Sequence, residues 1–170
     1  MSLEGYDVLV EEFKFLLEEE KPKVAEEKLV AAALGDRSEN ADYQAAKEKL
    51  RFIDKRLFYL NKMIQNAVVV DPSTHAHKRV AFGSSVTLIN LLSDKEETFT
   101  LCGVLESEPE NGLISIHSPL AKALLSKEVG DDFVIKLPKE TKEYEIEKIE
   151  YINIFSLKQN IRTKKEFTFH

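Results

Sequence analysis

From Tyr43 onward, Tyr43, Ala46, Leu50, Ile53, Leu57, Leu60, Ile64 and Ala67 recur at intervals of 3, 4, 3, 4, 3, 4 and 3 residues. This is the strongest constraint in the chain. A repeat averaging 3.5 residues gathers all eight side chains into one narrow stripe along a helix, and such a stripe is buried only against another helix. The preceding segment has the same rhythm at Val10, Phe13, Leu17, Glu20, Val24, Glu27, Ala31 and Leu34, with two glutamates interrupting it. Only the eight residues 35–42 lie between the two seams, so the helices must run antiparallel as neighbours. At 1.5 Å per residue, the stretch from Val10 to Leu34 makes a rod of about 37 Å. A two-helix hairpin of that length has little interior, and it displays something at its tip or spans a gap. Pro22 removes one backbone donor inside the first arm and predicts a kink there, with the seam resuming at Val24.

The second half changes period. "VTLINLL", "TFTLCGVL", "LISIH", "FVIKL" and "YEIEKIEYI" are short, rich in β-branched and aromatic residues, and punctuated by turn signals such as Asn111-Gly112 and Pro138. They predict a small, mostly antiparallel sheet. Between the third and fourth lies "SPLAKALLSKEVG", with Ser118 as N-cap, Pro119 at the first helical position and Gly130 after the end, which predicts one helix. Too few further long amphipathic segments remain to complete a helical bundle. The fold class is therefore α+β: a coiled-coil hairpin over 1–72 with its acidic tip at 35–42, and a sheet domain over 79–155. A basic tail over 156–170 follows, carrying 4 basic residues against 1 acidic in its last fifteen. The polar, turn-rich "DPSTHAHKR", Asp71 to Arg79, is the expected boundary.

The formal net charge of -6 argues against a nucleic-acid binder that works by overall charge, but the charge is unevenly placed. Glu4 to Leu34 carries 4 basic and 9 acidic residues, whereas Tyr43 to Asn66 carries 6 basic and 2 acidic. Along the basic arm Lys47, Arg51 and Lys55 recur every four residues, with Lys49, Arg56 and Lys62 nearby. They read either as a solvated flank ion-paired to the acidic arm or as a surface for phosphates. Cys102 is the only cysteine, so no internal disulfide can form, and its apolar strand marks it as a small hydrophobe. His75, His77 and His170 have no partners at metal-ligand spacing. The start "MSLEGYDVLV" has no secretory pattern, and the longest apolar run, "LVAAAL", is far too short to span a bilayer. A cytoplasmic protein without membrane attachment is expected.

The residues between the arms, "LGDRSENADY", admit two readings. In the first, Gly35 stops one helix, Asp36 caps the next, and Glu39 three residues on completes a capping box. In the second, the carboxylates are the working end of the rod. Their surroundings favour the second, because "LGDRSENADYQAAKEKLRFIDKRLFYL" resembles the tip and second helix of the bacterial transcript cleavage factor family, GreA and GreB. Within it, "GDRSENADYQ" is closer to the GreB form, and the resemblance continues through "ISIHSPLAKALLSKEVGDDFVIKLP", covering the chain from Gly5 to about Tyr151.

That resemblance implies an antiparallel coiled coil followed by an FKBP-like domain. It also implies a monomer whose globular domain docks on RNA polymerase while the coiled coil enters the secondary channel. There it would stimulate the polymerase's own cleavage of the RNA 3′ end in backtracked or arrested complexes, without stand-alone enzyme activity. The family's tip acids fall on Asp36 and Glu39, which would share a Mg²⁺ ion with the polymerase, supported by Ser38 and Asn40. Two carboxylates on an exposed turn would hold that ion only weakly by themselves, since Mg²⁺ wants six oxygen ligands. The family's RNA-contacting basic patch falls on Lys47, Arg51 and Lys55, and its docking loop on Ser115 to Leu120, including Ser115, His117, Ser118 and Pro119. His117 departs from the pattern, where an acidic or amide residue is usual. Tyr43, on the seam, is expected to pack rather than to stack on a base. Two other functions are compatible with the architecture: a channel-binding inhibitor without cleavage stimulation, for which altered tip acids would be expected, and a prolyl isomerase or scaffold, for which no aromatic-lined pocket signature is present.

Overall fold

The structure is a computed structural model that describes residues 1–37 and 39–159. The chain forms two compact units, one of Tyr6–Val68 and one of Met1–Gly5 with Val69–His170.

The first unit is the hairpin. Its outgoing arm is α1 (Leu3–Phe15), a π-helical turn (Leu16–Glu20) and α2 (Lys21–Ala33), and its return arm is α3 (Ala41–Gln65). Every seam position read from the return arm is covered: Ala46, Ile53, Leu57 and Leu60 are buried, and Tyr43, Leu50, Ile64 and Ala67 half-buried. Val24, Phe13 and Leu16 of the outgoing arm cluster with Ala46, Leu50, Ile53 and Leu57 of this seam.

The outgoing arm departs from its expected register, and the π turn is the reason. Lys21 N–H donates to Leu16 O, five residues back, so one extra residue is accommodated just before Pro22. Pro22 has no N–H, and the ladder shifts register at the place where a donor is missing. The inward positions run Leu9, Phe13, Leu16, Glu20 and Val24, at intervals of 4, 3, 4 and 4, in place of a strict 3–4 alternation. Leu9 and Leu16 therefore replace Val10 and Leu17, and Leu17 is exposed. Glu27 is exposed, and so is Leu34, because the helix has already ended at Ala33. Ion pairs join the arms at Lys21–Asp54 (2.7 Å), Lys49–Glu20 (2.7 Å) and Arg56–Glu12, where Nε and one terminal guanidinium nitrogen donate at 2.7 and 2.9 Å. Such partly exposed pairs contribute little to stability.

The second unit holds a five-stranded sheet of β1 (Ser84–Asn90), β2 (Lys95–Cys102), β3 (Leu113–Ser115), β4 (Asp132–Lys136) and β5 (Thr141–Tyr151), in the order β3-β2-β1-β5-β4. All pairings are antiparallel except β2 with β3. Val86, Leu88, Leu101, Ile135, Tyr144 and Ile146 form one face of the core, closed by Ala121 and Leu124 of α4 (Pro119–Leu124).

Helix α4 is shorter than the sequence suggests. It ends at Leu124, not before Gly130, because Val80 captures the chain: Ser126 N–H donates to Val80 O and Val80 N–H to Lys127 O, both at 2.9 Å, and Ser126 turns to φ +69°. The expected boundary at 71–79 also moves, to Val68/Val69. His77 is buried, its ring stacked on Tyr151, with Nδ1 2.7 Å from Ser84 Oγ and Nε2 2.7 Å from Pro72 O. Gly83, at φ +83°, passes so close to Pro72 that a Cβ there would lie 2.2 Å from the proline Cβ. The H-x-H segment is thus part of the sheet unit's packing. So are the first residues of the chain: the buried Glu106 carboxylate accepts from Ser2 N–H, Ser2 Oγ–H and Gly103 N–H. At the other end 154–159 is helical, with Ile154 buried beside Cys102 and Leu113 and Leu157 packed on them, so the unit continues past 155. The tail expected from 156 lies outside the described residues from 160 onward.

Candidate functional site

The hairpin tip is the loop 34–40. Helix α2 ends at Ala33 with Leu34 as C-cap, and Gly35 follows at φ +149°, a backbone conformation that side-chain-bearing residues rarely adopt. Capping of α3 falls to Asn40, not to Asp36 or to a box with Glu39. The Asn40 Oδ1 accepts from Tyr43 N–H at 3.1 Å, while its Nδ2–H donates to Ala31 O at 2.6 Å. One side chain therefore satisfies an orphan donor of α3 and adds a second donor to the Ala31 carbonyl of α2, which also accepts from Leu34 N–H at 3.2 Å, tying the two helix ends together. Asn40 is competent as a cap where Asp36 is not, because it stands immediately before Ala41 in extended conformation.

Gln44 adds a second tie, its Nε2–H donating to Arg37 O at 2.9 Å. The Arg37 guanidinium lies 5.9 Å from the centre of the Tyr43 ring, and Lys28 Nζ lies 5.7 Å from it. Tyr43 is half-buried on the seam as expected, with cations over its ring. Gln44 ends the tip motif, but its position in the sequence carries no signal of this bond. Its role depends on the loop bringing Arg37 O within reach, which spacing alone does not reveal.

Asp36 and Glu39 are both exposed on this loop. Ser38 lies outside the described residues. Two exposed carboxylates fit part of a Mg²⁺ shell and not the whole of one, and among the described residues no three His, Cys, Asp or Glu converge as a metal site. The tip is chemically suited to complete a site whose other ligands come from elsewhere.

On α3 the six cations divide into two sets. Lys49 and Arg56 are ion-paired to Glu20 and Glu12 of the acidic arm. The Lys49 ammonium holds the Glu20 carboxyl below its ordinary range through their hydrogen bond, and Glu12 raises the Arg56 guanidinium in the same way. Lys47, Arg51, Lys55 and Lys62 are exposed and form no ion pair among the described residues. The ion-paired reading of the basic arm thus holds for Lys49 and Arg56.

In the sheet unit, Ser115 to Leu120 is the turn from β3 into α4. Ser118 Oγ caps α4 by accepting from Ala121 N–H at 3.2 Å, and Pro119 opens the helix. Ser115 Oγ accepts from His117 N–H at 3.2 Å, and Ile116 N–H anchors the turn to Cys102 O at 3.0 Å. His117 and Pro119 are exposed, and Ser115 and Ser118 half-buried. These residues are presented together on one short, braced turn, and they belong to a different unit from the tip and the basic stripe.

Among the described residues no helix is long and apolar enough to cross a membrane. The family "Transcription elongation factor, N-terminal" matches residues 1–69, and "Transcription elongation factor, GreA/GreB, C-term" matches residues 75–151. The transcription elongation factor GreA of Nautilia profundicola is 50% identical over 154 residues, covering 91% of this chain and 95% of that protein. The corresponding protein of Helicobacter pylori strain Shi470 is 46% identical over 154 residues, covering 91% and 94%. A solved structure of GreA factor homolog 1 (Gfh1) from Thermus thermophilus is 23% identical, covers 88% of this chain and 97% of that one, and superposes with a TM-score of 0.40. Both relatives carry the name GreA, so the leaning of the tip motif towards GreB finds no support in them. With two family models together spanning most of its length, the chain belongs to the GreA/GreB family of transcription elongation factors.

Proposed function

We propose that this elongation factor stimulates RNA polymerase's own cleavage of the RNA 3′ end in backtracked complexes. It would do so by passing its hairpin down the secondary channel and presenting Asp36 and Glu39 to the active centre. The observation that carries this reading is at the tip: α3 is capped by Asn40, and two exposed acids remain on a loop that capping does not require. An exposed carboxylate pair at the end of a long rod contributes nothing to the core. It makes sense as a delivered reagent.

Asp36 and Glu39 are the residues that would hold a Mg²⁺ ion shared with the polymerase. Such an ion supplies Lewis-acid activation of water and charge neutralisation beside a second ion ~4 Å away. The chain's own part is positional. Asn40 has both amide atoms engaged in the loop, so its role is to hold the tip rather than to orient water. Gln44 and the Arg37–Tyr43 contact brace the same loop. Lys47, Arg51 and Lys55 would meet the extruded RNA, and the turn of Ser115, His117, Ser118 and Pro119 would dock on the polymerase. The factor acts as a monomer alongside the polymerase in the cytoplasm and has no hydrolytic activity alone.

The test uses backtracked elongation complexes with end-labelled RNA. The parent should accelerate cleavage, and Asp36→Asn or Glu39→Gln should abolish nearly all of the stimulation while polymerase binding persists. Full stimulation by either variant would refute the reading, and cleavage of RNA without polymerase would refute the shared site. A parent that binds and blocks extension without cleavage would establish the inhibitor alternative. Product lengths from the same gels distinguish GreA-type from GreB-type action.

A further inference from the structure

The face of α3 opposite its seam carries two aromatic rings that the hairpin does not use. Phe52 is 74% and Phe58 73% exposed, although the buried and half-buried seam of α3 runs unbroken without them. They stand at i and i+6 with Lys55 midway, on an i+3 ridge rising about 4.5 Å per step. Lys55 also belongs to the i+4 row of Lys47, Arg51, Lys55 and Tyr59, so the aromatic and basic rows cross at its position. The ring of Tyr59 is partly taken, with the Arg56 guanidinium 5.4 Å from its centre. Neither Phe52 nor Phe58 has a ring or cation partner among the described residues.

Isolated exposed apolar residues are ordinary on protein surfaces, but two large rings flanking an unpaired cation on one ridge are not a scatter. Rings interleaved with cations suit one class of partner in particular. Single-stranded nucleic acid offers phosphates to the cations and the open faces of unpaired bases to the rings, and stacking accepts any base. A protein wall would have to supply acids in register with Lys47, Arg51 and Lys55 and apolar pockets for both rings. A duplex keeps its base faces covered.

We infer that Phe52 and Phe58 are base-stacking platforms for single-stranded RNA, with Lys55 holding the phosphate that runs between them. The site extends the proposed phosphate contacts of Lys47, Arg51 and Lys55 from charge alone to charge plus stacking. It rests on the proposed function only for where the RNA comes from, the 3′ segment extruded from a backtracked complex.

The experiment has two arms on the full-length protein. In the first, a fluorescently labelled 12-nucleotide single-stranded RNA is titrated with the parent, Phe52→Ala, Phe58→Ala and Phe52→Tyr at low salt. Each alanine variant should weaken binding by about five-fold or more, the lower end of base–aromatic stacking, and tyrosine should restore it. In the second, backtracked complexes carrying 2-aminopurine near the RNA 3′ end report stacking as quenching on factor binding, which the alanine variants should diminish. Helix content and melting should be unchanged, since alanine at an exposed helical position favours the helix. Unaltered RNA affinity and quenching in both alanine variants would overturn the inference, as would an equal loss of affinity for polymerase that carries no RNA. Quenching by a parent that fails to stimulate cleavage would sink the proposed function and leave the stacking site standing.

Discussion

Asn40→Ala should be the most informative perturbation of the tip, because one small side chain there makes two hydrogen bonds that close the hairpin. The substitution removes the acceptor for Tyr43 N–H at 3.1 Å and the donor to Ala31 O at 2.6 Å. Losing an N-cap costs about 1 kcal/mol, and a half-buried hydrogen bond contributes about 0.5–1.5 kcal/mol net, so the sum is roughly 1.5–2.5 kcal/mol. The two parts can be separated. Asn40→Ser keeps a cap and loses only the link to Ala31 O, and should cost about 0.5–1.5 kcal/mol. Asn40→Asp keeps the cap with a better charge for the helix N-terminus, but it turns an oxygen towards the Ala31 carbonyl and should fall between parent and alanine. Urea unfolding followed by helix signal gives the global values, and amide exchange at Tyr43 and Gln44 gives the local ones. Cleavage stimulation should fall with the local values, since Asp36 and Glu39 ride on the same loop. If alanine and serine variants both unfold within about 0.3 kcal/mol of the parent, the link between the helix ends carries no energy and the tip is ordered by something else.

Three further outcomes follow from the packing and the charges. Leu60→Ala removes a fully buried side chain from the seam and should destabilise the protein by about 2–5 kcal/mol in urea titrations. The Cys102 thiol, buried between strands and pushed up to about 12 by that burial, should resist alkylation at pH 8 in the native state and react at once in denaturant; rapid native labelling would contradict the packing around it. The folded-state pKa of Glu20 is depressed by Lys49, so the pair's contribution is present above the unfolded value of about 4.5 and is lost as pH falls through the folded value; Glu20→Gln should flatten that part of the acid limb of the stability curve.

The return arm and the outgoing arm show where reading by period succeeds and where it stops. Along the return arm the 3–4 alternation is unbroken, and each of the eight side chains it marks is buried or half-buried. On the outgoing arm the same rule misplaces Val10 and Leu17, because a π turn before Pro22 adds a residue to the helix without any change in amino-acid pattern. The strands were likewise legible from β-branched runs and turn residues. The parallel pairing of β3 with β2 was not, and neither was the early end of α4 at Leu124, both of which depend on partners far away in the chain.

The candidate site divides in the same way. Its chemistry was written in the sequence: the acids Asp36 and Glu39, the basic spacing of Lys47, Arg51 and Lys55, and the Ser-Pro opening of α4 are local patterns, and the side chains concerned carry their chemistry wherever they stand. Which residue caps α3, which lysines are spent on ion pairs and which remain available, and that Phe52 and Phe58 lie opposite the seam without partners, were decided by the tertiary structure. Each depends on what a second segment of chain supplies or fails to supply: a carbonyl at Ala31, a carboxylate at Glu12 or Glu20, or nothing over two rings. Hydrogen bonds, ion pairs and burial are properties of pairs, and a linear pattern specifies only one member of each.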